Sequence, residues 1–223
     1  QNGHTSRNVR KIMMKVTHRY DPWHYIEVEN FLSPERFAEI KRLALIELEE
    51  FKNKGANSVY TDHKTEDYTS RNKYAKWLKE DIVPETNQFF EMLPEHRGYK
   101  GKLKKLLHWA ITPDNFNYPT HIDNASRINT CTLYVHPEKE IGTILCNNPS
   151  KNDDGDHIKA NEKSVYEREV EWKTNKLFVH NSIPNKTWHR YSSKKRRIVL
   201  CAFLVQPNLL ISNRNQHEYL LDI

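Results

Sequence analysis

Two histidines and one aspartate have the residue types and the spacing of a metal site. His121 and Asp123 are separated by one residue just before a predicted strand, and residues i and i+2 of an extended chain point to the same face. His189, in the dipeptide Trp188-His189, precedes another apolar strand. Two imidazoles and one carboxylate on one side of an ion are ligands typical of non-haem Fe(II), with about three octahedral positions left open. Zinc accepts the same ligands, but the H-E-x-x-H helix motif of zinc proteases is absent.

Arg197 is a candidate anchor for an anionic co-substrate of such an ion. It begins the last long predicted strand and shares one face of that strand with Val199, Cys201 and Phe203. A guanidinium on this apolar face needs an anionic partner, and its fork suits a carboxylate. Arg196 points to the opposite face, where we expect it to be solvated. A simpler alternative is that both arginines belong to a basic surface loop.

The first elements that must position these residues are helical. After a predicted strand at His24–Glu29, the sequence Ser33-Pro34-Glu35 has the N-cap, first-turn proline and early acid that start a helix. Apolar residues at three- and four-residue steps from Phe37 to Phe51 indicate that one face of this helix is buried. A second helical pattern runs from Tyr74 to Leu93, and we expect Pro84 to break or kink it.

From residue 103 onward the pattern changes to short strands separated by turns. The predicted strands are Leu103–Thr112, Arg127–His136, Ile141–Asn147, Ser164–Trp172, Lys176–Asn181, Thr187–Arg190 and Arg197–Val205. Asp114–Thr120 is predicted to be turn-rich, and Asn152–Asp156 is interpreted as a solvated turn because it lacks the ligand spacing of an EF-hand. Helices followed by strands predict an α+β protein whose core is an antiparallel sandwich or jelly roll.

Composition excludes several classes of protein. A chain of 223 residues suits one domain, and 37% hydrophobic with 11% aromatic residues exclude a wholly disordered one. Apolar runs are far shorter than the roughly 20 residues that span a bilayer, and the N-terminal residues do not resemble a secretory signal. Three cysteines, Cys131, Cys146 and Cys201, are too few for a disulfide framework and favour a reducing compartment. We therefore expect a cytoplasmic protein with no membrane association.

Basic residues exceed acidic ones, 35 against 29, and they are unevenly distributed. Residues 1–20 contain no acid, and we predict a flexible basic arm there, followed by a single domain over residues 21–223. Within that domain, helices are expected at about 33–93 and strands at about 103–207. A second cluster without acids comprises Lys186, Arg190, Lys194, Lys195, Arg196 and Arg197. Such clusters can bind nucleic acid, although solvated loops or arms are more frequent.

Several of these segments resemble the 2-oxoglutarate- and Fe(II)-dependent dioxygenases, and most closely the prolyl-hydroxylase-like branch. The segments that carry the resemblance are, in order, His121-Ile122-Asp123-Asn124, Arg127, Thr130-Cys131-Thr132-Leu133-Tyr134, Ile141-Gly142-Thr143, Trp188-His189 and Arg197. The strand and F-L-S-P-E sequence within residues 26–40 also resemble that branch, and the likeness extends over residues 24–207. It departs from the branch at Thr112-Pro113, where a tyrosine usually precedes the proline, and at Ile141-Gly142, where Gly-Gly is usual.

The resemblance implies a fold, a set of ligands and a reaction. The fold is a double-stranded β-helix (jelly roll) with the N-terminal helices packed on one sheet. His121, Asp123 and His189 would bind Fe(II). Arg197 and Tyr134 would bind the distal carboxylate of 2-oxoglutarate, and O2 would take the last position on the iron. The implied reaction is hydroxylation of a C–H bond, most closely that of a prolyl residue in a peptide or protein, with release of succinate and CO2.

Two alternatives remain open at this point. A 2-oxoglutarate oxygenase acting on nucleic acid would suit the basic charge, although the R-x-N-x-T-F-R signature of AlkB-type demethylases is absent from Arg196–Phe203. A non-catalytic jelly-roll module would use the basic arm and residues 186–197 to bind an anionic partner. Such a module should bind neither Fe(II) nor 2-oxoglutarate.

Overall fold

The computed structural model describes residues 13–53, 60–61, 82–147 and 166–209. Within these ranges two helices, eleven strands and a short 3₁₀ helix at Pro207–Leu209 are present. The helices are α1 (Pro34–Asn53) and α2 (Val83–Glu91). The strands are β1 (Lys15–Arg19), β2 (Tyr25–Glu29), β3 (Tyr60–Thr61), β4 (Lys104–Thr112), β5 (Phe116–His121), β6 (Arg127–His136), β7 (Thr143–Asn147), β8 (Tyr166–Val170), β9 (Leu177–Asn181), β10 (His189–Ser193) and β11 (Arg197–Val205).

The strands form two antiparallel sheets. The larger sheet has seven strands in the order β1-β2-β9-β6-β11-β4-β3, and the smaller has four in the order β5-β10-β7-β8. One apolar cluster joins the inner faces of both, with Leu106 and Val199 from the larger sheet and Leu145 and Val170 from the smaller. The antiparallel sandwich predicted from the strand pattern is therefore confirmed, and the space between its sheets is where a site can lie.

The outer face of the larger sheet is covered by the helices. Ile40 and Leu43 of α1 and Phe89 of α2 belong to one buried cluster with Leu133 and Leu200 of the sheet. Helix α1 begins at the predicted N-cap because the Ser33 hydroxyl accepts a hydrogen bond from the Arg36 amide, at 3.3 Å. None of the helices in the described ranges is long and apolar enough to cross a membrane.

Pro84 has a different role from the predicted one. It lies in the first turn of α2, where a missing amide hydrogen leaves no hydrogen bond unmade, so it opens the described helix instead of breaking it. The earlier part of that helical pattern, residues 74–81, lies outside the described residues, as does the Asn152–Asp156 segment.

Three strands arise where none was predicted: the two-residue β3, and the longer β1 and β5. Residues 15–19, assigned to the flexible arm, form β1 and pair with β2 at the sheet edge, while residues 1–12 lie outside the described residues. β1 is polar and exposed on both faces, so its sequence has no hydrophobic alternation to detect. Residues 116–121 form β5, although the segment 114–120 was predicted to be turn-rich. A proline is compatible with this strand because β5 lies at a sheet edge.

Candidate metal centre

Adjacent strands of the smaller sheet bring the two predicted histidines together. His121 ends β5 and His189 begins β10, and the two residues are direct partners in the antiparallel register. Their ring centroids lie 4.4 Å apart, and both side chains are buried. With Asp123, each offers a ligand atom, and these atoms all lie within 4.8 Å of one another. The three residues selected from sequence therefore form one cluster inside the sandwich.

Backbone carbonyls fix the orientation of both imidazoles. Nδ1 of His121 lies 3.0 Å from the carbonyl oxygen of Pro119, and Nδ1 of His189 lies 3.0 Å from that of Thr187. Because a carbonyl oxygen can only accept, each Nδ1 carries the hydrogen and each Nε2 keeps its lone pair. Metal-binding histidines are generally oriented in this way.

Asp123 is held by hydrogen bonds on both carboxylate oxygens. Arg127 donates to Oδ1 and Thr130 donates to Oδ2, each at 2.7 Å, and the Ser182 hydroxyl donates to the backbone oxygen at 3.3 Å. Burial opposes ionisation, but the charge of Arg127 and the neighbouring imidazoles outweighs it and holds the pKa of Asp123 well below its usual value. Asp123 is therefore an oriented carboxylate, which is the form that binds a cation.

His180 is a third buried imidazole that lines the same pocket. It lies on β9, its ring centroid is 4.9 Å from that of His189, and its Nε2 is 3.9 Å from Asp123 Oδ2. Burial and the nearby His189 lower the pKa of His180 to about 4, so it is neutral at physiological pH. The sequence did not single it out, although a histidine that follows three apolar residues and alternates with Phe178 was an available signal.

Arg197 lines the other end of this pocket. Its side chain is 4% exposed, and it donates to the carbonyl oxygen of Ile141 at 2.9 Å and to the hydroxyl of Thr112 at 3.4 Å. In the described part of the chain no carboxylate forms an ion pair with it, and burial lowers its pKa. Arg196 lies on the opposite face, with its guanidinium 3.9 Å from Asp114. Of these two adjacent arginines, Arg197 is the one that lines the pocket.

Tyr134 reaches the pocket only through a neighbour. Its hydroxyl donates to the hydroxyl of Thr143 at 2.9 Å and accepts from the Thr143 amide at 3.1 Å. Thr143 lines the pocket, whereas Tyr134 is packed behind it, stacked on Trp172 with ring centroids 4.5 Å apart. Gly142, which precedes Thr143, packs directly against the backbone of Val170. No larger residue fits there, because a Cβ at position 142 would lie 1.7 Å from the Val170 carbonyl oxygen.

Aromatic rings form a wall next to the histidines. Tyr118 and Tyr191 are stacked with ring centroids 4.8 Å apart and 2° between their planes. Tyr118 also meets His121 edge to face, with centroids 4.7 Å apart. The Arg197 guanidinium carbon lies 4.9 Å from the centre of the Tyr191 ring. This wall extends from His121 to Arg197.

Comparisons with known proteins agree at the level of fold. No protein-family model and no curated protein sequence matches this chain. Among solved structures it is similar to a prolyl-4-hydroxylase from Pseudomonas putida, with 15% identity, a TM-score of 0.51, and coverage of 82% of this chain and 88% of that chain. It is also similar to a prolyl hydroxylase from Trichoplax adhaerens in complex with a hypoxia-inducible-factor peptide fragment, with 11% identity, a TM-score of 0.51, and coverage of 82% and 84%.

A further similar structure comes from another kind of enzyme. It is the epimerase SnoN in complex with Fe3+, α-ketoglutarate and nogalamycin RO, with 12% identity, a TM-score of 0.51, and coverage of 82% of this chain and 79% of that chain. At such identities the likeness concerns the fold. The fold expected from the family resemblance, that of 2-oxoglutarate-dependent enzymes with prolyl hydroxylases among them, is therefore confirmed.

Proposed function

We propose that this chain is an Fe(II)- and 2-oxoglutarate-dependent oxygenase. One observation carries the proposal: a single buried pocket contains both the cluster of His121, Asp123 and His189 and the cation Arg197, which has no ion pair in the described ranges. A metal site and an anion site at opposite ends of one pocket suit a chelating dicarboxylate. The fold supports the proposal, since SnoN was solved with Fe3+ and α-ketoglutarate.

The metal end would be organised before the ion binds. His121 and His189 would supply Nε2, and Asp123 a carboxylate oxygen that Arg127 and Thr130 already orient. Bound Fe(II) would activate O2 beside 2-oxoglutarate, so that R–H, O2 and 2-oxoglutarate give R–OH, succinate and CO2.

The opposite end would bind the distal carboxylate of 2-oxoglutarate. The contacts of Arg197 with the Ile141 carbonyl and the Thr112 hydroxyl fix its guanidinium, so its remaining N–H groups would meet the carboxylate without reorganisation. The Thr143 hydroxyl would assist, held in position by Tyr134. Burial would exclude water from this ion pair and strengthen it.

The favoured substrate is a prolyl residue of a peptide or protein. Two similar structures are prolyl hydroxylases, and one of them contains a peptide fragment. The wall formed by Tyr118 and Tyr191 suits contact with a flat, apolar ring such as that of proline. It stands beside His121, where a reacting C–H bond would have to lie.

No contact of the basic cluster favours a nucleic-acid substrate. Lys186 pairs with Glu95, and Arg190 forms a two-point contact with Glu167, at 2.8 and 3.1 Å. Arg197 is buried in the pocket. Arg196 lies 3.9 Å from Asp114. Four of the six basic residues that cluster in sequence are therefore paired with an acid or buried in the fold, which reduces the positive surface available to a phosphate backbone.

The test is turnover by the full chain, reconstituted with Fe(II) and supplied with 2-oxoglutarate and O2. Succinate should form, and proline-containing peptides should raise its rate and gain 16 Da, whereas the same peptides with alanine for proline should do neither. Asp123→Ala should abolish both signals. Succinate formation without a 16 Da product on any proline peptide would retain the oxygenase and reject the prolyl substrate. Absence of succinate under all conditions would reject the oxygenase.

A further inference from the structure

Glu140 is a carboxylate that does not line the pocket, yet its hydrogen bonds converge on the segments that hold Arg197. We propose that Glu140 is a positioning residue, which joins the carbonyl that fixes the Arg197 guanidinium to the turn that precedes Arg197. This inference rests on the proposed function, because that guanidinium is the proposed anchor of 2-oxoglutarate.

Both carboxylate oxygens of Glu140 accept hydrogen bonds from backbone amides. Oε1 accepts from the amides of Ile141 and Lys194, at 2.8 and 2.9 Å, and Oε2 accepts from the amide of Lys195 at 2.7 Å. Lys194 and Lys195 form the turn between β10 and β11, whereas Ile141 lies in the loop before β7. Hydrogen bonds to an ionised carboxylate are stronger than those between neutral groups. One side chain thus fastens two segments that are distant in the sequence.

Both of these segments determine where the Arg197 guanidinium lies. The Ile141 carbonyl accepts a hydrogen bond from Nη1 of Arg197 at 2.9 Å. The turn leads directly into β11, whose first residue is Arg197. Glu140 therefore fixes the accepting carbonyl relative to the backbone that carries the guanidinium. Without this link the guanidinium loses part of the fixed geometry that a two-point contact with a carboxylate needs.

Other side chains hold the amides that follow in the loop. The Gly142 amide donates to Glu169 at 2.8 Å, and the Thr143 amide donates to the Tyr134 hydroxyl at 3.1 Å. These contacts fasten the start of β7 to β8 and β6. Neither of them involves the turn between β10 and β11, so they do not replace the link that Glu140 makes.

The turn before β11 has a second support. The Arg196 amide donates to Asp114 at 2.6 Å, and the Asn115 amide donates to the Lys194 carbonyl at 3.3 Å. The turn therefore stays attached to the segment after β4 when Glu140 is changed. We expect variants of Glu140 to fold and to differ chiefly in the position of the loop before β7.

The hydrogen bonds of Glu140 also keep its carboxylate from neutralising Arg197 by contact. Burial lowers the pKa of Arg197, and the charge of Glu140 opposes this effect, but the two side chains form no ion pair in the described structure. Burial also opposes the ionisation of Glu140, but the backbone amides outweigh it and hold the pKa of Glu140 below its usual value. A charged carboxylate with both oxygens bonded to amides leaves the guanidinium available to an anionic ligand.

The test compares the steady-state kinetics of two variants of the full chain loaded with Fe(II). In Glu140→Ala the KM for 2-oxoglutarate should rise about 10- to 100-fold, because its anchor is no longer held in place. The kcat at saturating 2-oxoglutarate and the Fe(II) affinity should stay within about threefold. Glu138→Ala is the matched control, because Glu138 lies in the same loop but bonds to Lys41 and Thr174 instead. It should leave the KM within about threefold.

A double variant separates positioning from a general loss of structure. If Glu140 acts through Arg197, adding Glu140→Ala to Arg197→Ala should raise the KM by less than about threefold further, because residues in one chain of contacts are not additive. Glu140→Gln keeps the size of the side chain but opposes an NH2 group to a backbone amide. Its KM should lie between those of the unchanged chain and Glu140→Ala, and it gives the same information if the alanine variant is unstable.

Each possible result decides a different question. An unchanged KM in Glu140→Ala or Glu140→Gln overturns this inference and leaves the proposed function intact. A rise in KM that multiplies fully with that of Arg197→Ala also overturns it, because Glu140 would then act independently of the guanidinium. An unchanged chain that forms no succinate would instead reject the proposed function, and this inference with it.

Discussion

The two faces of strand β11 contain different kinds of side chain. Toward the helices it presents Ile198, Leu200 and Ala202, which belong to a purely apolar cluster. Toward the smaller sheet it presents Arg197 and Cys201, which line the pocket. Alternation of side chains along one strand thus separates residues that stabilise the fold from residues that face the site. The outer face requires volume and apolarity, whereas the inner face requires particular atoms at particular distances.

The largest expected effect comes from the proposed metal ligands, which lie in the pocket that β11 also lines. His189→Ala removes one of two imidazoles that adjacent strands place together, so Fe(II) affinity should fall by more than about 100-fold and succinate formation should stop. Metal titration followed by a succinate assay measures both. His96→Ala, at an exposed histidine, should leave both unchanged. Normal turnover by His189→Ala would exclude His189 as a ligand.

The second-largest expected effect is on the KM for 2-oxoglutarate. It compares two adjacent arginines whose side chains lie on opposite faces of the chain at β11. Arg197→Ala removes the buried guanidinium, and loss of a charge-assisted pair with a carboxylate costs about 2–5 kcal/mol. The KM for 2-oxoglutarate should therefore rise roughly 30-fold to several-thousand-fold, while Fe(II) affinity persists. Arg196→Ala, on the opposite face beside Asp114, should change this KM by less than about threefold. The reverse result would mean that the other face of β11 lines the site.

The third effect is on stability and comes from the outer face. Leu200→Ala leaves a cavity in the cluster between the sheet and the helices, and the free energy of unfolding should fall by about 2–5 kcal/mol. Because Leu200 points away from the pocket, the KM for 2-oxoglutarate should stay within about threefold. Urea unfolding and steady-state kinetics on one preparation test both. A large rise in KM without loss of stability would show that the two faces are not independent.

The fold was most predictable where local pattern and burial agree. Strands β6 and β11 have the predicted bounds because β-branched and apolar residues fill them, and both lie inside the larger sheet. Strands β1 and β5 were missed because they lie at sheet edges and are held by pairing with β2 and β10. β1 lacks the apolar alternation on which the prediction depended, and in β5 the proline and the neighbouring polar residues favoured a turn.

Only those site residues whose type and order along the chain indicate their chemistry could be predicted from the sequence. His121, Asp123 and His189 were selected by residue type and order along the chain, and they do cluster. The residues around them could not be selected in this way, since Thr130 and His180 contact Asp123 from strands β6 and β9. Such contacts depend on which strands become neighbours, and that is a property of the whole sheet.

The basic cluster at residues 186–197 illustrates the same limit. In the sequence it lacks acids and is compatible with an anionic partner, but the fold brings Glu95 to Lys186 and Glu167 to Arg190 from distant segments. Charge counted along the chain therefore overstates charge on the surface. Arg197, in contrast, has no such acid in the described ranges, and this difference separates it from Lys186 and Arg190.

The smallest expected effect concerns Tyr134, which the family resemblance assigns to the co-substrate carboxylate. Its hydroxyl is already bonded twice to Thr143, which lies between it and the pocket. Tyr134→Phe keeps the stacking on Trp172 but leaves the buried Thr143 amide without its acceptor, so stability should fall by about 1–3 kcal/mol. Because Arg197 remains in place, the KM for 2-oxoglutarate should rise by less than about tenfold.

Thr143→Val provides the matched comparison for this last prediction. It removes the hydroxyl that accepts from Tyr134 but keeps the amide that donates to Tyr134. If Tyr134 acts through Thr143, the two variants should raise the KM for 2-oxoglutarate by similar factors, and the double variant should add little, because residues in one hydrogen-bond chain are not additive. If Tyr134 contacts the carboxylate directly, Tyr134→Phe alone should approach the effect of Arg197→Ala, and the two losses should add. Steady-state kinetics on the four variants distinguish a positioning hydroxyl behind the pocket wall from a binding hydroxyl inside it.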